Sequence, residues 1–102
     1  MSALAAKKLV RFKFVEAMIE AHGYINRYHI QRCFGLASAA ASRVMTEYKA
    51  ASGNIFTQGY KIYPCGDFKR VFLDIDANEF IAAAEIMAPE KIIIYETVKK
   101  LI

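Results

Sequence analysis

The sequence lacks the features that would place this chain in a membrane or on a secretory route. Its 102 residues contain no run of eighteen apolar residues, which argues against a membrane span. At the N-terminus the apolar residues 1–6 come before the basic ones, which is the reverse of the order in a secretory signal peptide. We therefore expect a cytoplasmic protein.

Residues that bind metals or carry out catalysis are also scarce. Cys33 and Cys65 lie far apart, and the two histidines, His22 and His29, have no partnering ligand pattern. We expect Cys33 to be half-buried and Cys65 to be incidental. No nucleophile–base pair, carboxylate pair or phosphate-binding glycine loop appears. The sequence predicts no enzyme activity, no metal and no cofactor.

What the sequence does contain is an apolar fraction of 56% and an uneven distribution of charge. The apolar fraction predicts one folded domain with a modest core. Residues 1–73 carry eleven Lys or Arg and four Asp or Glu, which gives +7, whereas residues 74–102 carry three and six, which gives −3. A basic front suits a polyanionic partner, although surface scatter would explain the same numbers.

Apolar spacing and punctuating residues predict the order of elements. In the first helix Phe12, Val15 and Ile19 form the apolar face, and Lys13, Glu16 and Glu20 lie opposite. The predicted helices are Leu9–His22, Arg27–Phe34 capped by Asn26, Ala39 to about Ala51 capped by Ser38, and Asp76 to about Ala88 with Glu79 completing a capping box. The runs 54–57 and 60–63, separated by Gln58 and Gly59, predict a β-hairpin. For 90–102 we favour a helix, with a strand at 92–95 as the alternative.

This order, helix, helix, tight turn, helix, hairpin, is that of a winged helix-turn-helix. The fold class is therefore mainly α with a small β-hairpin, a winged helix-turn-helix over 1–73 followed by C-terminal helices over 74–102. The turn has Gly35 at the bend, Leu36 beneath it and a small Ala41 at the facing position of the third helix. Gln31 departs from the usual small residue four positions before the glycine, which implies an altered crossing or an outward-reaching side chain.

A helix-turn-helix places the start of its third helix in the major groove of DNA. Arg43 is the strongest candidate for a base contact, because a guanidinium bonds guanine through two hydrogen bonds; the alternative is a solvated surface arginine. Tyr24 and Tyr28 are better interpreted as core aromatics. The predicted DNA-binding residues are Ser38, Ala39, Ser42, Arg43 and Thr46 on the third helix, Arg27 and His29 at the start of the second, and Gln58, Lys61, Lys69 and Arg70 in or after the hairpin.

About three-quarters of the chain resembles the N-terminal domain of a known family. The residues that carry the resemblance are Arg11, Phe14, Glu16, 23–27, 33–37, Ala41, Ser42, Tyr48, Gly53, Asn54, Tyr60, Lys61, Tyr63, Gly66, Phe68, Val71, Phe72 and 76–80. Together they resemble the winged helix-turn-helix of WYL-domain transcriptional repressors associated with anti-phage defence. The resemblance implies a homodimer that represses transcription from a palindromic operator. It also implies that Ser38, Ala39, Ser42 and Arg43 read bases, and that Arg27, Lys61 and Lys69 contact the backbone.

Those repressors continue into a ligand-sensing domain, whereas this sequence ends at Ile102, so we expect a stand-alone relative carried by a phage or mobile element. The apolar residues of 77–102 offer two interpretations: a homodimer contact, or packing on the first helix of the same chain. Two other functions stay open for the whole chain. One is a protein-binding winged helix, such as an adaptor or a phage-encoded inhibitor, and the other is a DNA-binding module of replication or recombination.

Overall fold

The chain folds mainly into α-helices. The computed structural model describes residues 3–54, 56–57, 63–64 and 68–87. Within these residues lie α1 (Ala3–His22), α2 (Arg27–Phe34), α3 (Ser38–Ser52) and α4 (Ala77–Met87). Two short strands, β1 (Phe56–Thr57) and β2 (Tyr63–Pro64), pair antiparallel with Thr57 opposite Tyr63. None of the described helices combines the length and the apolar character that a membrane crossing requires.

The second helix begins where the sequence predicts, and the fourth begins at Ala77, one residue after the predicted start at Asp76. The Asn26 side chain accepts a hydrogen bond from the His29 N–H, and the His29 ring accepts one from the Asn26 N–H, both at 3.2 Å. This reciprocal pair satisfies two donors that a helix start otherwise leaves unpaired. At α4 the Glu79 N–H donates to the Asp76 carboxylate at 3.1 Å.

The starts of α1 and α3 differ from the prediction. The first helix begins at Ala3 rather than Leu9, because alanines favour helix and a Lys8–Glu47 salt bridge of 3.3 Å holds this part of α1 against α3. Ser38 is the first residue of α3 and not its cap. The extended residue before the helix is Ala37, whose carbonyl accepts the Ala41 N–H at 3.0 Å.

The first helix is the centre of the core. The six consecutive residues 14–19 are all buried, so the helix is covered on every side in this stretch. The prediction of a polar face on α1 is wrong at Glu16, which is completely buried. The core around α1 contains Phe12, Phe14, Val15, Met18, Ile19, Ile25, Ile30, Cys33, Ala41, Val44, Met45, Tyr48 and Ala84. Cys33 is more deeply buried than expected.

The fourth helix packs on α1 of the same chain. Ala77 and Ala84 are buried, and Phe80 and Ile81 pack against the core. A salt bridge of 3.5 Å between Arg32 and Glu85 ties α4 to α2 as well. For Ala77, Phe80, Ile81 and Ala84 the intramolecular interpretation is therefore the one observed, and these side chains are not available as the predicted dimer contact. Cys65 and residues 88–102 lie outside the described residues.

Candidate nucleic-acid interface

A three-residue turn joins α2 to α3. Gly35 adopts the left-handed conformation with φ 65° and ψ 39°, which an L side chain disfavours. The N–H groups of Gly35 and Leu36 both donate to the Gln31 carbonyl, at 2.8 and 3.3 Å, and so close the end of α2. Leu36 packs against the core, and Ala41 is completely buried. The glycine, the apolar plug and the small facing residue occupy the places that the sequence predicts for them.

The turn leaves one face of α3 in solvent. Val44, Met45 and Tyr48 are buried on the other face, which fixes the rotation of the helix. All five residues of α3 that the sequence nominates as DNA contacts are exposed: Ser38, Ala39, Ser42, Arg43 and Thr46. The Thr46 hydroxyl donates to the Ser42 carbonyl at 3.2 Å, so its proton is committed within the helix. Arg43 is the one long hydrogen-bonding side chain among these five.

The described cations differ in whether they are paired. Lys8, Lys13, Arg32 and Arg70 form salt bridges with Glu47, Asp74, Glu85 and Glu20, respectively. Within the part of the chain that the structure describes, the exposed Lys7, Arg27, Arg43, Lys49 and Lys69 take part in no salt bridge. One of these five lies on α1, one begins α2, two lie on α3, and one belongs to the segment before α4. Their positive charge is therefore left for a partner.

Tyr28 differs from its prediction as a core aromatic. Its side chain is 48% exposed, and the Arg27 guanidinium lies 5.4 Å from the centre of its ring. An arginine over an aromatic face keeps its charge while losing some of its freedom of movement. The start of α2 therefore presents an ordered cation to solvent. Tyr24, by contrast, is partly buried and packs against His29 with ring centres 5.6 Å apart.

Two predicted phosphate contacts have other partners. His29 Nδ1 accepts the Asn26 N–H, and burial, assisted by Arg32 and His22, lowers the pKa of His29 from 6.5 to about 4. His29 is therefore neutral at pH 7 and brings no positive charge. Arg70 donates two hydrogen bonds to Glu20, at 2.6 and 2.7 Å, which lower the pKa of that carboxyl. A DNA phosphate would have to compete with this bidentate pair.

The remaining predicted contacts divide between described and undescribed residues. Lys69 is exposed, and its backbone carbonyl accepts from Asn54 Nδ2 at 3.1 Å. Gln58 and Lys61 lie outside the described residues. Gln31 does not reach outward, because its side-chain oxygen is buried and has no hydrogen-bond partner among the described residues. Leaving this oxygen without a partner among the described residues is the cost of burying a glutamine side chain next to the turn.

A buried polar network that apolar spacing does not predict connects α1, α3 and the segment before α4. The Glu16 carboxylate accepts four hydrogen bonds: from the Tyr48 hydroxyl at 2.8 Å and from the N–H groups of Val71, Phe72 and Leu73 at 2.9, 2.8 and 2.7 Å. Burial and the bond to Glu16 raise the pKa of Tyr48, so its hydroxyl stays a donor. The available signal was a single acid within the apolar run 14–19.

No protein-family model, curated protein or solved structure matches this chain.

Proposed function

We propose that this protein binds double-stranded DNA in a sequence-specific manner and regulates transcription, as a repressor, through a winged helix-turn-helix. In this proposal α3 lies in the major groove, and the segment containing β1 and β2 is the wing, which contacts the backbone or the minor groove. The observation that carries the proposal is the exposed face of α3. It is small at its N-terminal half, bears Arg43, and has no acid neutralising that arginine among the described residues.

The dimensions and chemistry of this face suit a major groove. The groove is about 12 Å wide, close to the diameter of an α-helix with its side chains. Ser38, Ala39 and Ser42 add little bulk, so the backbone of α3 can approach the base edges closely. Arg43 then supplies two parallel donors that fit the two acceptors of guanine. A thymine methyl would suit contact with Ala39.

The unpaired cations supply the affinity that does not depend on sequence. Arg27, Lys49 and Lys69 are exposed and lie outside the small N-terminal part of α3. Each phosphate that a cation neutralises releases counterions from DNA, which strengthens binding at low salt. The four cations engaged in salt bridges contribute less, because their charge is already balanced. Binding should therefore weaken steeply as salt rises.

The test compares the DNA upstream of the gene with a random duplex of equal length, at two salt concentrations. Wild type should prefer the upstream DNA and lose affinity as salt rises. Arg43→Ala should lose roughly 5- to 150-fold of that preference, corresponding to about 1–3 kcal/mol for a bidentate base contact. Lys13→Gln is the matched control, because it removes the same charge from a side chain that pairs with Asp74.

Lys13→Gln should keep the preference for the upstream DNA. Absence of binding to either duplex at low salt would refute the proposal and would turn the search towards a protein partner on this face. If wild type binds both duplexes equally well and Arg43→Ala binds as wild type does, DNA binding stands but its sequence specificity is refuted.

A palindromic operator requires two copies of the chain, one for each half-site. We retain the homodimer as part of the proposal, with the contact made by residues other than Ala77, Phe80, Ile81 and Ala84, which pack internally. Sedimentation of the protein alone and with a selected operator tests this point. One protein chain per duplex at saturation would remove the dimer and the palindrome together.

A further inference from the structure

Asn54 joins two parts of the chain that are far apart in sequence. It follows Gly53, the left-handed residue that ends α3. Its Nδ2 group donates to the Tyr48 hydroxyl at 2.8 Å and to the Lys69 carbonyl at 3.1 Å. Both hydrogens of the amide are therefore used, one on α3 and one on the segment that leads to α4. The two ends of residues 55–68 are thus held at one point.

The Tyr48 hydroxyl that receives Asn54 is itself fixed from the other side. It donates to the Glu16 carboxylate, which also accepts the N–H groups of residues 71–73. The residues that follow Lys69 are thus anchored on α1, and the carbonyl of Lys69 is anchored on the end of α3. Two sets of hydrogen bonds, joined at Tyr48 and Glu16, therefore determine where the backbone of Lys69 lies relative to α3, and it is the Asn54 set that contacts Lys69 itself.

Lys69 is the cation of this segment that remains available. Its side chain is exposed and takes part in no salt bridge within the described residues, whereas the adjacent Arg70 is paired with Glu20. A lysine acts on a phosphate as a point charge, and its contribution depends on how well its backbone is held at the right distance. The Asn54 amide provides this constraint at the Lys69 carbonyl.

We propose that Asn54 is a positioning residue for DNA binding: it holds Lys69 at the C-terminal end of α3 so that the lysine contacts a backbone phosphate while α3 occupies the major groove. This inference rests on the proposed function and deepens it. Asn54 is neutral and has no expected DNA contact of its own, yet part of the salt-dependent affinity then depends on it. The partner chemistry is the phosphodiester backbone of duplex DNA.

The test is a double-mutant cycle of Asn54→Ala and Lys69→Ala, with affinity for the upstream duplex measured over a range of salt. Lys69→Ala should weaken binding roughly five- to tenfold at 0.1 M salt and reduce the slope of log K against log salt by about 0.9. Asn54→Ala should reduce the same slope by about 0.5 or more, although it removes no charge. The double variant should bind within about twofold of Lys69→Ala, because each change removes the same contact.

The stability control is Ile19→Val, which weakens the core in α1 without altering charge or the Asn54 contacts. It should leave the salt slope unchanged. The base preference that depends on Arg43 should persist in Asn54→Ala. If Asn54→Ala keeps the wild-type slope, or if its loss multiplies with that of Lys69→Ala, the positioning role is overturned while the proposed function stands. If wild type binds neither duplex, the proposed function fails, and this inference fails with it.

Discussion

Replacing Glu16 is the sharpest test of how this fold is held together. The carboxylate is completely buried and accepts four hydrogen bonds, three of them from consecutive backbone N–H groups. In Glu16→Ala those three amides lose their acceptor, but only the Leu73 bond is buried, whereas those of Val71 and Phe72 are part-buried and water can replace the carboxylate there. The buried donor costs about 1–3 kcal/mol and each part-buried bond about 0.5–1.5 kcal/mol, so the loss is about 2–6 kcal/mol. Since a domain of this size is stable by about 5–15 kcal/mol, we expect Glu16→Ala to be strongly destabilised.

Glu16→Gln separates the loss of an acceptor from the loss of volume. One carboxylate oxygen accepts from Phe72 and Leu73, and the other accepts from Tyr48 and Val71. A glutamine oxygen can replace the first, but its NH₂ group then faces the Val71 N–H, donor against donor. We expect a destabilisation of about 1–3 kcal/mol, because the buried Tyr48 hydroxyl and the part-buried Val71 N–H both lose their acceptor.

The assay is urea unfolding followed by far-ultraviolet circular dichroism, with Glu47→Gln as the matched control. Glu47 is also an acid facing α1, but its salt bridge with Lys8 is partly exposed and should contribute about 1 kcal/mol or less. Tyr48→Phe should cost about 1.5–3 kcal/mol, as expected for a hydrogen bond to a charged group. If Glu16→Gln unfolds within about 0.5 kcal/mol of wild type, the network is not what fixes the segment 71–73, and the reasoning is refuted.

Three further predictions follow from the helix ends and the exposed face. The pKa of His29 is lower in the folded state than its unfolded value of 6.5, so the free energy of unfolding is highest above pH 6.5. It falls by about 1–2 kcal/mol as the pH drops towards 4. His29→Gln should reduce this pH dependence, measured as the difference between the urea midpoints at pH 7 and pH 4.5. Gly35→Ala should lower the free energy of unfolding by about 1–2 kcal/mol because φ is positive, and an unchanged melting temperature would contradict this. Ala39→Glu should keep or slightly raise the melting temperature, since an acid suits a helix start, yet reduce DNA affinity by more than about tenfold; undiminished binding would exclude this face as the interface.

Local chemistry made much of this architecture predictable. The cap at Asn26, the glycine bend at Gly35 and the capping residue Asp76 each act within a few residues, so the chain around them is enough to place α2, the turn and α4. The buried face of α3 followed from spacing alone, because Ala41, Val44 and Tyr48 recur at the helical period. The exposed face bearing Ser42 and Arg43 followed as its complement.

Predictions failed where a side chain depended on elements distant in sequence. Glu16 has a polar side chain, and apolar spacing predicts that it lies in solvent with Lys13 and Glu20. Its acceptors are instead satisfied by donors 32 and 55–57 residues away, which no local window contains. The pairing of Arg70 with Glu20 was not predicted for the same reason, since Glu20 lies 50 residues earlier in the chain.

The sequence by itself determined the helix order, the tight turn and the identity of the exposed residues on α3, because caps, glycines and apolar spacing act locally. Tertiary structure alone decided which charged side chains form salt bridges within the protein and which remain available to a partner. Pairing depends on which side chains meet across α1, and that is fixed only when the helices pack. The same packing brings Asn54 to Lys69, so the placement of the candidate phosphate contact is a property of the fold rather than of any segment.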